Sequence, residues 1–532
     1  MTLELDLHNL KKDEAVRLIQ RTIVNNSKLD EIVAIHGYNN GTELKRLLQD
    51  PHNIHNKREE YTTDGWNDGV TLIVLRRWLI FKERVKLMAE KIKTSLKNVN
   101  YKLFLALLVM GLVPTIYTTI RVFWLGKLPG EWSFSIAGQL GWVNLFYEII
   151  DEAIILPLFY FMGEAIKDKE DLSNRTRTGL LISIGAYLVL GLVVIALAEP
   201  LLKLMAVNKD IIAESATYIR LESVGNIFGI LSRFLLVVLV TLGKSRSVYA
   251  ITGAKLMLCS IFDTFLVSTL SFSANMGVNG IAVSNIIVNL ILALAIVYLL
   301  AKEGVKIFTK SKLDFSWSKD FFKKGSISGL ESFVRNIFYI VMISRMVNVV
   351  GEQGTYWVAN NFIWGWLLLP ILQLGELIKQ ETALNKDNIK NNSIAYFLVT
   401  VVICLLWLIL IPSFKPFMQY VLQFSDVDKL FNLVMVLIGF YVLFAFQNIF
   451  DATFYGTGRI NYMLFESICT NTIYYGFCFI LYVSGVWEPT LTGIALMFGI
   501  GIAFDSVVSG IAYYYMLHKE HINLLDVEAR EL

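Results

Sequence analysis

Apolar runs of about twenty residues, the length a helix needs to cross a bilayer, recur along the chain from Leu103 to Leu517. No other feature restricts the fold as strongly. Inside lipid every backbone polar group must be satisfied internally, and a helix does this within itself. A soluble multidomain enzyme could not hide so much apolar sequence. Of the 532 residues, 55% are hydrophobic and only 17% charged, where soluble domains carry about 25% charge. Collagen-like, disordered and disulfide-rich classes are excluded by the same composition. The four cysteines, Cys259, Cys404, Cys469 and Cys478, lie in apolar runs and form no CxxC. They read as packing residues, not as a disulfide framework or zinc site.

The pattern predicts a polytopic α-helical membrane protein with twelve spans, near 103–125, 135–162, 178–199, 212–242, 248–271, 280–301, 325–349, 355–378, 393–413, 428–455, 461–484 and 489–517. Residues 76–102 carry nine Lys and Arg, and 302–324 carry seven lysines. The opposite loops hold little more than Lys127, Lys203, Lys209, Lys415 and Lys429. The positive-inside rule then places both termini and the 302–324 loop in the cytoplasm of a multi-pass inner (plasma) membrane protein. An even span count agrees. The first twenty residues are charged, unlike a signal peptide.

This organisation divides the chain into a polar head (1–76), a basic amphipathic linker (77–102), a first six-helix lobe (103–301), an inter-lobe loop (302–324), a second six-helix lobe (325–517) and a tail (518–532). The linker has the character of a helix held at an anionic membrane surface, with a plain solvated linker helix as the alternative. TLGKSRSVYAI (241–251) resembles FYGTGRINYML (454–464), with Gly243, Arg246 and Tyr249 each 213 residues from Gly456, Arg459 and Tyr462. Duplicated halves with a substrate site between them are a common transporter plan.

Several segments together resemble the multidrug and toxic compound extrusion (MATE) family across roughly 103–517. They are LLKLMAVNKDIIAESATYIRLESVG (201–225), LGKSRSVYA followed by CSIFDTFLV (259–267), GSISGLESFVRNIFYIVMISRMV (325–347) and WVANNFIWGWLLLPILQLGE (357–376). The resemblance implies two six-helix lobes around a central cavity, alternating access and cation-driven export of amphipathic compounds, with H+ or Na+ as coupling ion and no other cofactor. It also implies that Glu331 and Asp451 bind substrate or cation. For each an alternative is local pairing, with Arg335 and Arg459 respectively.

The first lobe departs from the family. Its first helix has Arg121 where many members carry an aspartate. Its second helix, NLFYEIIDEAIILP (144–157), carries four polar groups on one face: Asn144, Glu148, Asp151 and Glu152. Three carboxylates on one face in lipid repel one another and require protonation, a metal ion or a cation as offset. Arg121 is expected to pair with them, leaving a carboxyl to carry a proton or bind Na+. A purely structural lock is the alternative. Glu222, Arg233, Asp263, Arg345, Glu376, Lys379 and Asp505 read as mainly structural. Trp357, Trp364 and Trp366 with Asn360 and Asn361 are candidates to line a cavity.

The head carries nine basic against twelve acidic residues over 1–75 and four of the six histidines. Strand and helix patterns alternate as a small α/β fold. LDLH (5–8), IHGYNNGTELKRLL (35–48) and NDGVTLIVL (67–75) are similar to the signatures of the Smr (small MutS-related) domain. That resemblance implies nucleic acid as a partner and makes Asp6, His8, His36, Gly37 and Gly41 the candidate site. A glycine turn opening a helix offers N–H groups to a phosphate, and His8 and His36 would flank it as acid–base groups. The excess of acidic residues argues the other way.

The leading expectation is a monomeric, non-enzymatic antiporter for small amphipathic substrates in a lipid bilayer. Two others are a lipid-linked precursor flippase of the same superfold, and a membrane-tethered nuclease or nucleic-acid-binding module.

Overall fold

The computed structural model describes residues 2–26, 29–37, 42–50, 58–64, 67–75, 77–130 and 132–524. Two compact units emerge. One comprises Met1–Val99, Asn385–Leu398 and Met516–Leu532, the other Asn100–Leu384 and Val399–Tyr515.

The first unit opens with β1 (Thr2–Asp6), α1 (Lys12–Asn25), β2 (Glu31–Ile35), α2 (Thr42–Gln49), β3 (Arg58–Asp64) and β4 (Asn67–Leu75). The sheet order is β1-β2-β4-β3. β1 and β2 run parallel, as a helical crossover requires, and β4 is antiparallel to both its neighbours. Ala15, Ile19 and Ile23 recur every four residues, so α1 buries one stripe. That stripe packs with Leu7, Ile32, Ala34, Leu47, Leu48 and Ile73 in one core. The basic stretch that follows is a single helix, α3 (Arg77–Asn98).

The second unit is helical. It contains α4 (Tyr101–Gly126), α5 (Ser133–Ala165), α6 (Lys169–Leu204), α7 (Ile212–Thr241), α8 (Ser245–Val267) and α9 (Asn279–Lys302). After the 302–324 loop come α10 (Ser318–Tyr339), α11 (Arg345–Val349), α12 (Gln353–Phe362) and α13 (Leu369–Leu384). Then follow α14 (Asn388–Tyr420), α15 (Val427–Gly456), α16 (Ile460–Cys469), α17 (Gly476–Val483) and α18 (Leu491–Lys519).

Among the described residues ten helical segments are long and apolar enough to span a membrane. The pair Gln353–Leu367 and Leu369–Leu384, bent by 53°, makes eleven if counted as one span. The expected twelve is therefore not reached on length and composition. The helix that falls short is α5, which has 33 residues and is the one carrying Glu148, Asp151 and Glu152.

Three spans of the second half are interrupted by π-helical turns, at Ile340–Ser344, Ile363–Leu367 and Thr470–Tyr475. Such turns gather at functional sites because they re-aim the side chains around them.

The internal repeat needs a new register. The glycine that ends α7 in the left-handed region is Gly243 (φ 70), and the one that ends α15 is Gly458 (φ 73). These are 215 residues apart, not 213. Each follows a C-cap residue, Leu242 and Thr457, where an L-residue with a side chain would be strained. Gly456 is still helical and answers a different need. A Cβ there would lie 2.0 Å from Thr382 Oγ1.

Candidate functional site

Among the described residues of the helical unit, four charged groups bring together helices far apart in sequence. The first contains Arg121 of α4. Its Nε donates to Asp263 Oδ2 of α8 at 3.0 Å, and its Nη2 donates to Asn285 Oδ1 of α9 at 2.9 Å. Asn285 Nδ2 donates in turn to both oxygens of Glu222 on α7, at 2.8 and 3.0 Å. Tyr218 OH donates to Glu222 Oε1. Asp263 is fully buried and Glu222 nearly so. Arg121 does not meet the α5 carboxylates as expected, because Asp263 and Asn285 already use its donors.

Removing one partner of a buried ion pair leaves the other charge unpaired, at about 3–5 kcal/mol. Arg121→Gln and Asp263→Asn are each expected to lower the melting temperature sharply in detergent. The double replacement is expected to recover much of the loss. Equal melting of all four proteins would contradict the lock.

The second and third groups divide the α5 carboxylates. Asp151 accepts from Arg233 Nη1 of α7 and from Tyr187 OH of α6, the latter at 2.5 Å. Arg233 Nη2 also donates to Tyr187 OH at 3.0 Å. Glu148 and Glu152 turn to the other half of the unit. Both accept from Arg335 Nη2 of α10, at 3.2 and 2.7 Å. Glu331, one turn before Arg335, lies 3.5 Å from its Nε. Ser467 Oγ of α16 donates to Glu331 Oε1 at 3.0 Å. The local pairing of Glu331 with Arg335 is thus present, but as one side of a three-carboxylate ring. Asn144 is exposed and takes no part.

The fourth group lies in the second half and holds Asp451. Ser509 Oγ of α18 donates to Asp451 Oδ1 at 2.8 Å; no pair with Arg459 forms. Beside it Gln447 Nε2 donates to Glu466 Oε1 at 2.6 Å and to Asp505 Oδ2 at 2.7 Å. Thr470 Oγ1 donates to Asp505 Oδ1, and Ser506 Oγ to Gln447 Oε1. Glu466 is 4% exposed, and its Oε2 is buried with no hydrogen-bond partner. Among the described residues none of these three carboxyls takes part in an ion pair. Burying an ionised carboxylate without a counter-charge costs several kcal/mol, so the group calls for protons or a cation. No cluster of three or more His, Cys, Asp or Glu among the described residues is arranged to hold a metal ion.

Glu466 is the residue that reading the sequence missed. Its signal was there: one carboxylate in the apolar run INYMLFESIC, a placement costly in lipid, whereas Asp451 was singled out by the family resemblance. Asp505, read as structural, belongs to the same group.

The aromatic patch divides as well. Trp366 Nε1 donates to Thr119 Oγ1, and Asn361 Nδ2 caps the Trp357 carbonyl. Asn360 Nδ2 donates to Tyr339 OH. Trp364 packs edge-on to Phe444. A shallow apolar groove of about 430 Å³ on the exposed side of α8, lined by Ile261, Phe265 and Phe272 among others, shares none of the charged residues.

In the first unit Asp6 Oδ1 accepts from the His8 backbone N–H at 2.9 Å and sits 2.5 Å from its Nδ1. These bonds hold the Asp6 carboxyl below the usual range. The His8 ring covers Gly37, where a Cβ would fall 2.6 Å from Nε2. Gly37 has φ 75, so glycine is required there twice over. His36 is 2% exposed and bonds Thr71 Oγ1 through Nε2 at 3.0 Å. It points into the sheet rather than towards a phosphate beside His8. Gly41 lies outside the described residues.

Burial pushes the His36 imidazole below its ordinary value. A depressed base binds protons more readily unfolded than folded. Its contribution to stability is therefore complete above about pH 6.5 and fades as pH falls below that. Amide exchange protection in β2 and β4 is expected to drop between pH 7.5 and 5.5, and His36→Gln to flatten that dependence. An unchanged pH profile in the variant would count against it.

Residues 164–266 match the MatE family model. None of the curated proteins compared with the chain matches it. An inward-facing multidrug resistance MATE family transporter of the MOP superfamily is 20% identical over 78% of this chain and 96% of that one, with a TM-score of 0.59. An outward-facing multidrug resistance MATE transporter is 18% identical over 82% and 98%, with a TM-score of 0.60. A MOP superfamily transporter from Pyrococcus furiosus, described as having a binding pocket of reversed polarity that suggests a different function, is 19% identical over 81% and 98%, at 0.59. The chain carries the fold of the MATE transporters of the MOP superfamily.

Proposed function

We propose that this chain is a MATE-type secondary transporter that exports small amphipathic compounds by alternating access in exchange for a monovalent cation, H+ or Na+. The observation that carries this reading is the Asp451–Glu466–Asp505 group. Three carboxyls meet between α15, α16 and α18; among the described residues none is in an ion pair, and one buried oxygen is left unpartnered. Asp263, Asp151, Glu152 and Glu331 each face an arginine, so a group of carboxyls that faces none calls for an exchangeable ion. In this reading α5 also spans the membrane, its charges covered by Arg233 and Arg335, which restores two sets of six spans. The basic stretches 76–102 and 302–324 put both termini and the inter-lobe loop on the cytoplasmic side.

A flippase for lipid-linked precursors needs cationic groups free to meet a phosphate. Arg121, Arg233 and Arg335 are each engaged by carboxylates, which favours the antiporter. A nuclease reading of the head needs two imidazoles at one phosphate, and His36 is buried. The head is read instead as an Smr-like binding or regulatory module.

Purified protein in vesicles, loaded with an amphipathic dye and given either an H+ or a Na+ gradient, tests the function. Dye movement driven by one gradient and abolished by its ionophore is expected. Movement indifferent to both gradients would overturn the proposal.

A further inference from the structure

α5 and α10 belong to different halves of the helical unit and run antiparallel along their shared face. Beyond the end of α10, the start of α5 meets the elements that follow it: Gln139 Nε2 donates to Asn348 Oδ1 of α11 at 2.8 Å, and Gln353 Nε2 of α12 donates to the Gly138 carbonyl at 2.9 Å. Near the other end the helices nearly touch. A Cβ on Gly325 would lie 2.0 Å from the Ala153 carbonyl oxygen, and one on Gly329 would lie 2.9 Å from Ala153 Cβ. Between these contacts sits Arg335, with Glu148 and Glu152 across the seam and Glu331 on its own helix.

One guanidinium faces three carboxylates there, and Glu152 Oε2 is buried without a hydrogen-bond partner. Lys379, paired with Glu376 at 2.6 Å, acts on Glu152 from further away. The ring is therefore under-neutralised, and its one shared cation is on a helix that must move if the halves separate. When α5 and α10 part, Arg335 keeps Glu331, because the two are four residues apart on one helix. Glu148 and Glu152 lose their cation and face each other alone.

We propose that Arg335 is a charge latch across the seam, holding α5 and α10 together and giving up Glu148 and Glu152 when that end of the seam opens. This rests on the alternating-access reading above, and Arg335 acts in it as a positioning residue, through the helices it joins. Its carboxylate partners are partly solvated, so the bias on the closed state is modest, roughly threefold to tenfold in population.

The test uses the full chain in lipid nanodiscs, its four cysteines replaced by serine. Spin labels go at Lys167, just past α5, and Lys319, at the start of α10; both positions are exposed. A predominantly short distance is expected without substitution. Arg335→Gln is expected to raise the long-distance fraction at least threefold. Glu148→Gln with Glu152→Gln should do the same from the opposite side. Exchanging the charges, Arg335→Glu with Glu152→Arg, is expected to return the short distance, which a merely space-filling arginine would not do. Unchanged distances in both neutralised proteins overturn the latch, and so does a shift that the exchange fails to reverse. Distances are read without transport, so a failed latch leaves the export reading standing, and a failed vesicle assay leaves the distances interpretable.

Discussion

Asp451→Asn and Glu466→Gln are each expected to cut gradient-driven export by about a hundredfold while the protein remains folded. The amides keep the shape of the side chains and can still bond Ser509 and Gln447. They cannot take up and release a proton, nor offer a full charge to Na+. A charge at mid-membrane is worth about 3 kcal/mol, which is a factor of about 100 in a coupled equilibrium. Stability should move the other way. Replacing a buried carboxylate that has no cation partner removes a desolvation cost, so melting temperatures should hold or rise. Efflux from vesicles and thermal melting of the same preparations check both halves of the expectation. Undiminished gradient-driven efflux in both variants would remove the group from the coupling machinery. Loss of activity together with loss of folding would make it structural.

Gly325→Ala should be nearly as damaging, for a steric reason. Its methyl group would lie 2.0 Å from a backbone oxygen of α5, which no rotamer change can relieve. Either α10 moves away from Ala153 or the closed seam is lost. Overpacking costs about 1–3 kcal/mol, a factor of roughly ten to a hundred in the population of the closed state. Export should fall accordingly. Gly141→Ala, on α5 itself, provides the control, because nothing lies within 4 Å of an added Cβ there. Equal export by the two variants would mean that α5 and α10 need not close as tightly as they do here.

How much of this was legible beforehand differs residue by residue. The apolar runs identified most of the spans because twenty lipid-compatible residues in a row leave few alternatives. The α5 carboxylates were visible as an anomaly, but they divide between two sets of partners, Asp151 with Arg233 and Glu148 and Glu152 with Arg335. Their partners were not visible. Arg233 lies 82 residues from Asp151 and Arg335 lies 187 from Glu148, and helical periodicity says nothing about which distant helix a face will meet. Arg121 was given the nearest anions in sequence when its anion stands 142 residues away, on α8. His36 followed the same logic in the head. Its motif marked it as polar and special, and only the sheet showed that Thr71 on β4 had already claimed its Nε2.

The sequence by itself determined a mostly helical, membrane-spanning class of fold and the short list of charges too costly to sit in lipid unaided. Each of these follows from local quantities: run length, period and the transfer cost of a side chain. The tertiary structure alone decided which charges cancel. It matched Arg121 to Asp263, Arg233 to Asp151 and Arg335 to the glutamates across the seam, and left Asp451, Glu466 and Asp505 together with no cationic partner among the described residues. Electrostatic pairing acts through space over a few ångströms, and only packed helices bring residues so far apart in the chain to that distance.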